Sequence, residues 1–382
     1  MYKGKVVLVS HFAIPYKKIA SWTNSFSYYV KRKRSLIDYI VSPVDDLDSL
    51  DQVDAKHIGI KEPKVFRYKM NMVIPHYKYF GYWRAIDALL DEHESLIVMV
   101  LDNPGLLRAI QFHSAKRGKR SRLKMIFFHH GYHYFFENRI LQEMYDSMDE
   151  LVVLTKSSYE YQLSMVNSMP MEVSHIYNGI DSNRFRRISS TEKKALRKRI
   201  GLDDDKIYFI WLSQDRPKKG LHIVLRAWDT LSDQHANIEL LVIGTHREVR
   251  GKGIRWLGRI PNHDLPQYYQ AADFYLFPTL WHEGFGLSLA EALKCGSVCI
   301  ASNIDPVGEV MGFGRYGRVV DFPHDPSRWI EAIEEEMTKY EENDRINPYL
   351  KNIPEDLYDL DEWCDNIDKL VEKWKRYIQL PK

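Results

Sequence analysis

The chain has 382 residues, of which 45% are hydrophobic, 13% aromatic and 28% charged, and its formal net charge is +2. This length predicts two domains, because a single hydrophobic core rarely grows beyond about 250–300 residues. The composition excludes a disordered or low-complexity chain, and the balanced charge excludes a protein that binds nucleic acid through bulk charge.

The apolar runs of the chain are short. The longest, residues 96–101, is far below the ~20 residues of a transmembrane helix, so none is expected. Residues 6–9 form an apolar stretch that is too short for a secretory signal but suits a buried first strand. The sequence therefore predicts a cytoplasmic protein.

Cysteine usage points to the same compartment. The chain has 3 cysteines, Cys295, Cys299 and Cys364. Their odd number and the lack of C-x-x-C spacing favour reduced thiols over a disulfide framework or a zinc site. We predict buried, inert cysteines.

Short aliphatic runs alternate with helical patterns along the chain. Unalternated runs of this length are typical of strands buried on both faces, and their alternation with helices predicts α/β domains with parallel sheets. The runs are residues 6–9, 96–101, 125–128, 151–154, 207–212, 240–243, 274–277 and 298–301, and helical patterns lie at 192–200, 221–231, 265–272 and 287–293.

An Asn-Gly turn marks the predicted domain boundary. It follows a strand-like run at residues 173–177 and precedes a polar stretch, as is typical of a linker. We predict one domain over residues 1–178 and a second over residues 179–360, each with its own sheet. Residues 361–382 are predicted to form a terminal helix with an apolar stripe. This helix can pack back on the N-terminal domain.

Two basic stretches make the N-terminal half locally positive. They lie at residues 31–34 and 116–124, and aromatic residues precede the first of them. One interpretation is an ordinary solvated surface. The other is a peripheral contact with an anionic membrane, because basic residues beside aromatic ones favour lipid headgroups.

The most informative stretch lies between the apolar run 274–277 and a helical pattern. Gly284 and Gly286 let the backbone approach a ligand closely, and the N-terminus of the following helix attracts anions. Glu283 precedes the helix, and Glu291 lies about two helical turns further on. The two carboxylates can therefore reach opposite ends of an elongated ligand.

A second loop has the same placement between a buried strand and a helix. It contains Arg216, Lys219 and Gly220. A lysine at this point can neutralise a phosphate at the carboxyl edge of the sheet, where open α/β sheets bind their ligands. The two loops together favour a phosphate-bearing ligand.

These residues make the C-terminal half similar to the retaining glycosyltransferases of family four. That family has the GT-B fold, two Rossmann-like domains whose parallel sheets face each other across a cleft. The resemblance implies that residues 1–178 form the acceptor-side domain and residues 179–360 the nucleotide-sugar-binding domain. Glu283 and Glu291 match its E-x7-E signature, and further elements follow in the family's order. They are residues 177–181, 219–220, 242–244, 256–259, 271–273, Pro306 and Glu309.

The resemblance implies a site for a nucleoside-diphosphate sugar. Glu291 would accept hydrogen bonds from the ribose, Glu283 would face the transferred sugar, and Lys219 would neutralise the leaving diphosphate. His130 resembles the histidine that the family places over the donor sugar, so Glu283, His130 and Lys219 are the predicted catalytic residues. The predicted donor-binding residues are Arg216, Lys219, Gly244, Gly258, Arg259, Ile260, Glu283, Gly284, Phe285, Gly286, Leu287 and Glu291.

The chain departs from the family pattern in two places. Family members usually carry an arginine five or six residues before the lysine, where this chain has Ser213 and Gln214. Arg216 either replaces that arginine or is a solvent-facing turn residue. The first loop, residues 10–16, lacks the glycine pair that often lines the acceptor side, so the acceptor is not specified.

Other catalytic templates have less support. His129, His130 and His133 lack an acidic or thiol partner at ligand spacing, so no metal is predicted there. The D-x-D spacings at residues 46–48 and 203–205 lie where carboxylates commonly cap turns and helices. G-x-G-x-x-G after the first strand, G-x-S-x-G and a Walker lysine loop are absent from the sequence, which argues against dehydrogenase, hydrolase and P-loop functions.

The resemblance therefore implies a retaining, metal-independent hexosyltransferase that needs no cofactor. Its acceptor would be a glycan or a lipid-linked glycan in polysaccharide or glycoconjugate biosynthesis, and its location the cytoplasm or the inner face of the membrane. Two alternatives stay open. A nucleotide-sugar epimerase shares the fold, and the missing arginine is compatible with a non-catalytic binding module.

Overall fold

The computed structural model describes residues 4–15, 22–32, 35–44, 52–61, 74–134, 136–246, 249 and 251–379. The chain divides into two compact units, which we call unit 1 (Met1–Gly179 with Asp361–Lys382) and unit 2 (Ile180–Leu360). In the described residues each unit has its own parallel sheet with helices around it. The predicted α/β class with two Rossmann-like domains is confirmed.

Unit 1 is built on a parallel sheet with the strand order β3-β2-β1-β4-β5-β6-β7. All six side chains of the central strand β4 are buried, which explains its unbroken aliphatic sequence. The elements described in unit 1 are β1 (Lys5–Ser10), α1 (Trp22–Lys31), β2 (Tyr39–Ser42), β3 (Lys56–Gly59), α2 (Phe80–Glu92), β4 (Leu96–Leu101), α3 (Pro104–Lys116), β5 (Leu123–His129), α4 (Asn138–Tyr145), β6 (Glu150–Val153), α5 (Lys156–Ser164) and β7 (Glu172–His175).

Unit 2 repeats the design with the strand order β10-β9-β8-β11-β12-β13. Its first helix, α6, begins with a capping box formed by Ser189 and Glu192 and ends at Gly201, whose φ is 71°, so local sequence sets both ends. The elements of unit 2 are α6 (Ser190–Ile200), β8 (Ile207–Leu212), α7 (Leu221–Gln234), β9 (Ile238–Ile243), β10 (Ile254–Gly258), α8 (Leu265–Ala271), β11 (Phe274–Phe277), α9 (Leu287–Cys295), β12 (Val298–Ser302), α10 (Val307–Val310), β13 (Gly317–Val320) and α11 (Pro326–Glu342), and α12 (Leu360–Gln379) follows.

The terminal helix α12 packs on unit 1 through a buried carboxylate. Glu150 at the start of β6 is fully buried, and its side chain accepts hydrogen bonds from Trp374 and, at 2.6 Å, from Lys373 of α12. Ser174 donates a third bond at 2.5 Å. A buried carboxylate is tolerated because these donors replace the water that it loses.

Several cations of the second basic stretch form ion pairs within unit 1. Lys119 contacts Asp87 at 2.9 Å and Asp91 at 2.5 Å, and Arg120 and Lys124 both contact Asp149 at 3.0 Å. These ion pairs tie the stretch to neighbouring elements of unit 1, and the membrane contact stays a prediction. Residues 33 and 34 of the first stretch lie outside the described residues.

All three cysteines are buried and free, as predicted. Among the described residues, no helix combines the length and the apolar character needed to cross a membrane.

Candidate functional site

The candidate site lies where the strand order of the unit 2 sheet reverses. The neighbouring strands β8 and β11 are separated by β9 and β10 in the sequence but are hydrogen-bonded to each other in the sheet. In open α/β sheets, ligands bind beyond the carboxyl ends of the strands at such a reversal. The loops with Lys219 and Glu283 are the ones that follow β8 and β11.

A glycine lets these two loops touch. Gly220 has φ 69°, and a Cβ atom at this position would lie 1.8 Å from the carbonyl oxygen of Pro278. The backbone N–H of Leu280 donates to the carbonyl of Lys218 at 2.8 Å. The loop after β8 is therefore fixed directly against the loop after β11.

This contact brings two predicted catalytic residues together. Lys219 Nζ lies 2.5 Å from Glu283 Oε1, and the two side chains are 21% and 16% exposed. Thr279 Oγ1 donates to the same carboxylate oxygen at 2.8 Å. The pair therefore presents a half-buried cation and anion with a fixed geometry at the edge of the sheet, reachable by a charged ligand.

The helix α9 begins beside this pair. Its N-cap is Gly286, with φ 92°, and Phe285 before it is 2% exposed. The first-turn N–H groups of such a helix lack intrahelical acceptors, which makes them suitable for binding phosphate oxygens. Gly284 and Leu287, the other predicted members of this loop, are half-buried.

Glu291 lies further along α9, away from the Lys219–Glu283 pair in sequence. Its carboxylate accepts a hydrogen bond from Tyr269 at 3.1 Å. Burial raises the pKa of Glu291 to about 7, although the Tyr269 hydroxyl and the Arg184 charge act in the opposite direction. An ionised Glu291 can therefore accept further hydrogen bonds, for example from the hydroxyls of a sugar ring.

The loops after β9 and β10 continue the same edge. Gly244 has φ 100°, and a Cβ atom there would lie 2.3 Å from the carbonyl oxygen of Ser213. Its N–H donates to Gly258 at 2.7 Å. Arg259 is exposed and Ile260 is half-buried, so the residues predicted to contact the base lie at an accessible edge of unit 2.

Arg216 lies in the same turn as Lys219, with an exposed side chain. Its backbone forms the N-cap of the 3₁₀ turn Pro217–Lys219. The structure records an ion pair with Glu283 for Lys219 and none for Arg216 within the described part of the chain. Its role as the phosphate-binding arginine stays a prediction.

His130 lies in unit 1, at the carboxyl end of β5. Its ring stacks on Trp22 with the centroids 4.5 Å apart and 15° between the planes, and its backbone N–H donates to Asp102 at 3.1 Å. Burial lowers the pKa of His130 to about 3, so the imidazole is neutral at physiological pH. The ring is therefore held by stacking, as a neutral imidazole and not as a cation.

Asp102 is a residue that the sequence reasoning missed. It follows β4 with φ 45°, an unusual conformation for a residue with a side chain, and accepts hydrogen bonds from the backbone N–H of His130 and, at 3.3 Å, from the Tyr134 hydroxyl. Burial raises its pKa to about 6. The sequence could have indicated Asp102 by its position directly after β4, the strand that pairs with β5.

Other partners in unit 2 were also missed. Thr279 donates a hydrogen bond to Glu283, and Tyr269 donates one to Glu291. The sequence could have indicated them by their positions, Thr279 just after β11 and Tyr269 on α8.

The acidic run at residues 203–205 forms a turn. Asp204 contacts Lys194 at 3.5 Å, and Asp203 accepts the N–H of residue 205. The run at residues 46–48 lies outside the described residues, and the described part contains no cluster of metal-ligating side chains.

The contact at Gly220 yields a stability prediction. Gly220→Ala should destabilise the protein by about 3 kcal/mol or more, because the new methyl group collides with the Pro278 carbonyl. Gly201→Ala is the matched control, since φ is 71° there and nothing lies within 4 Å of the added atom. That control should cost only about 1 kcal/mol of left-handed strain. Urea unfolding of the two variants measures the difference, and equal losses would contradict the prediction.

The raised pKa of Glu291 on α9 yields a pH prediction. The pKa of Glu291 is raised on folding. The folded protein is therefore most stable at acidic pH, where the carboxyl group is protonated, and its stability falls as pH rises toward and through about 7. Glu291→Gln should remove this loss and stabilise the ligand-free protein at pH 8 by about 1–3 kcal/mol more than at pH 5. Thermal unfolding at both values tests this. Glu331→Gln, at an exposed ion pair with Arg328, is the control, and parallel curves for E291Q and wild type would contradict the prediction.

Comparisons with known proteins agree with this architecture. Residues 192–352, which lie within unit 2, match the family model of glycosyl transferases group 1. Relatives include D-inositol 3-phosphate glycosyltransferase 2 of Catenulispora acidiphila, 26% identical over 50% of this chain and 48% of that protein. The O-antigen chain mannosyltransferase B of Escherichia coli is 30% identical over 28% of this chain and 31% of its own. The chain thus spans about half, or less, of the length of these curated relatives.

Solved structures match over nearly the whole chain. Anabaena Alr3699/HepE, crystallised with UDP, has a TM-score of 0.74 at 15% identity and covers 97% of this chain and 100% of its own. A glycosyltransferase from Rickettsia africae has a TM-score of 0.74 at 14% identity and covers 100% of both chains. The fold is that of the GT-B glycosyltransferases.

Proposed function

We propose that this protein is a retaining glycosyltransferase that moves a hexosyl group from a nucleoside-diphosphate sugar to a glycan or lipid-linked acceptor. The observation that carries the proposal is the Lys219–Glu283 pair, which lies where the strand order of the unit 2 sheet reverses, beside the N-terminus of α9. The family match over residues 192–352 supports transfer over epimerisation, and the UDP and UDP-glucose complexes of HepE support the class of donor.

The chemistry follows from the charges at this edge. As the bond between the sugar and the diphosphate breaks, negative charge builds up on the phosphate oxygens, and Lys219 together with the free N–H groups of α9 stabilises that charge. These groups are held in place by the loop contacts, so little reorganisation is needed when the charge develops. Glu283 shares Lys219, and an anionic donor therefore competes with Glu283 for the ammonium group.

Metal-independent catalysis is part of the proposal. A cation that neutralises the diphosphate takes over one task that a divalent metal performs in other transferases. Front-side transfer with retention needs no enzyme nucleophile, because the leaving diphosphate accepts the acceptor's proton. His130 is proposed to act on the donor sugar as a neutral hydrogen-bonding group. We place the reaction in polysaccharide or glycoconjugate assembly in the cytoplasm or at the inner face of the membrane.

A two-stage experiment tests the proposal. A thermal-shift screen over UDP-, GDP- and ADP-sugars should identify a donor that stabilises the protein, since ligand binding raises stability with concentration. Transfer to a panel of glycans and lipid-linked acceptors, in buffer with EDTA, should then give a product with the donor's anomeric configuration by NMR. An isomeric nucleotide sugar from donor alone would identify an epimerase, binding without any turnover a binding module, and an inverted product would refute retention.

A further inference from the structure

The helix α9 and the loop before it are held by one short segment near the end of unit 2, residues 355–358. Lys294 on α9 is 4% exposed, and its ammonium group donates to the backbone carbonyls of Glu355 at 3.1 Å and Leu357 at 2.9 Å. A buried ammonium group that binds two carbonyls of one segment fixes the helix against that segment.

The loop before α9 is held by the next residue of the same segment. The ring of Tyr358 packs edge-on against Phe285, with the centroids 5.0 Å apart and 82° between the planes. The Tyr358 hydroxyl donates to the carbonyl of Val310 at 3.0 Å, which fixes the orientation of the ring. Phe285 is buried and stands between Glu283 and the N-cap of α9, so its position sets that of both.

Tyr358 also has an uncommon backbone conformation. Its φ is 56°, in the left-handed region that residues with side chains rarely occupy. Its carbonyl accepts the N–H of Ile180 at 2.7 Å, and the Ile180 carbonyl accepts the N–H of Leu360 at 3.1 Å. The segment is therefore tied to residue 180, where the chain enters unit 2, just before the chain leaves it.

We propose that Tyr358 and Lys294 are positioning residues for the nucleotide-sugar site. They act through Phe285 and α9, whose place decides whether the helix N-terminus and Glu283 meet a diphosphate together. The inference rests on the proposed function, because it assumes that the loop of Glu283 binds the donor. A merely structural role would lower stability and leave the affinity of the folded protein for nucleotide unchanged.

Binding calorimetry below the unfolding temperature tests the inference. The probe is whichever of UDP, GDP and ADP gives the largest thermal shift with the wild-type protein. Tyr358→Gly tolerates the left-handed backbone but removes the ring, so it should weaken nucleotide binding about 10-fold or more. Tyr358→Phe keeps the ring and should lose less than about 3-fold. Lys294→Met should weaken binding about 10-fold, and Lys294→Arg should recover part of the loss.

Matched controls separate positioning from stability. Tyr349 is a partly buried tyrosine of unit 2 that packs against the core and bonds Glu336, and Lys339 pairs with the same glutamate. Tyr349→Ala and Lys339→Met should lower the unfolding temperature without changing the affinity. Faster hydrogen exchange at residues 284–287 is expected in Y358G and K294M, and not in the controls.

The outcomes divide cleanly. Wild-type affinity in both Y358G and K294M overturns the inference and leaves the proposed function intact. If Y358G does not fold, K294M and its exchange pattern decide. If the wild-type protein binds none of the three nucleotides, the proposed function fails and the inference fails with it.

Discussion

Replacing Glu283 with glutamine should abolish sugar transfer, with a loss in kcat of about 10³-fold or more. The amide keeps the size of the side chain and can still accept a hydrogen bond from Lys219, but it carries no negative charge. The ion pair at 2.5 Å is then lost, and with it the electrostatic pattern that the donor meets. Steady-state transfer rates at saturating donor and calorimetric donor affinity measure the two effects separately.

The control for Glu283 is another ion-paired glutamate of unit 2. Glu239 is 6% exposed and is bound by Lys206 at 2.8 Å and Arg255 at 2.6 Å, but it lies on β9 outside the candidate site. Glu239→Gln should lower stability and leave kcat within about twofold of wild type. Wild-type transfer rates for E283Q would show that the site assignment is wrong.

Replacing Asp273 with asparagine should destabilise unit 2 by about 3–5 kcal/mol, because it leaves buried cations uncompensated. Asp273 is 4% exposed, and its carboxylate binds Lys193 at 2.7 Å, Arg197 at 2.6 Å and the hydroxyl of Tyr340 at 2.6 Å. It also accepts the N–H of Tyr208 at 2.8 Å. One carboxylate thus joins α6, β8 and α11 at the start of β11.

The pH dependence of this variant follows from the same contacts. Burial alone would raise the pKa of Asp273, but the charges of Lys193 and Arg197 outweigh it and hold the pKa below the ordinary value. Its stabilising effect is therefore present above the pKa of an unfolded aspartate and is lost as pH falls through the lower native value. Asp273→Asn should lose most stability at neutral pH and approach the wild type in acid.

Urea unfolding of the full chain at pH 7 and pH 3 checks this expectation. Asp233→Asn is the control, since Asp233 is 78% exposed and pairs with Lys252 at 3.1 Å, an interaction worth less than about 1 kcal/mol. A D273N protein as stable as D233N at pH 7 would contradict the account of the buried network.

The sequence predicted the central strands well and the edge strands poorly. All eight aliphatic runs overlap observed strands, and the run 96–101 coincides with β4. Of the strands that were not identified, β3, β10 and β13 lie at sheet edges and β2 lies next to an edge, whereas the edge strand β7 was anticipated by the run 173–177. Residues of β3 are exposed or half-buried, and those of β10 are half-buried throughout, because edge strands pack on fewer neighbours and need fewer apolar side chains.

The sequence by itself determined the two parallel-sheet units and the identity of the loops that carry charge. Buried strands need unbroken aliphatic runs, and glycine is needed where backbone conformation or a close approach excludes a Cβ atom. Only the tertiary structure decided which charges meet. Lys219 and Glu283 are far apart in the chain, and the pairing of β8 with β11 brings their loops together.

The same distinction explains the remaining surprises. The basic stretch after α3 is locally positive in sequence, yet part of its charge pairs with Asp87, Asp91 and Asp149, which lie far from it in the chain. Tyr358 packs against Phe285, although the two residues are far apart in the chain and no local sequence pattern connects them. Sequence patterns report burial and backbone requirements, which are local, whereas charge pairing and ring packing depend on which strands become neighbours, and that is fixed only when the sheet forms.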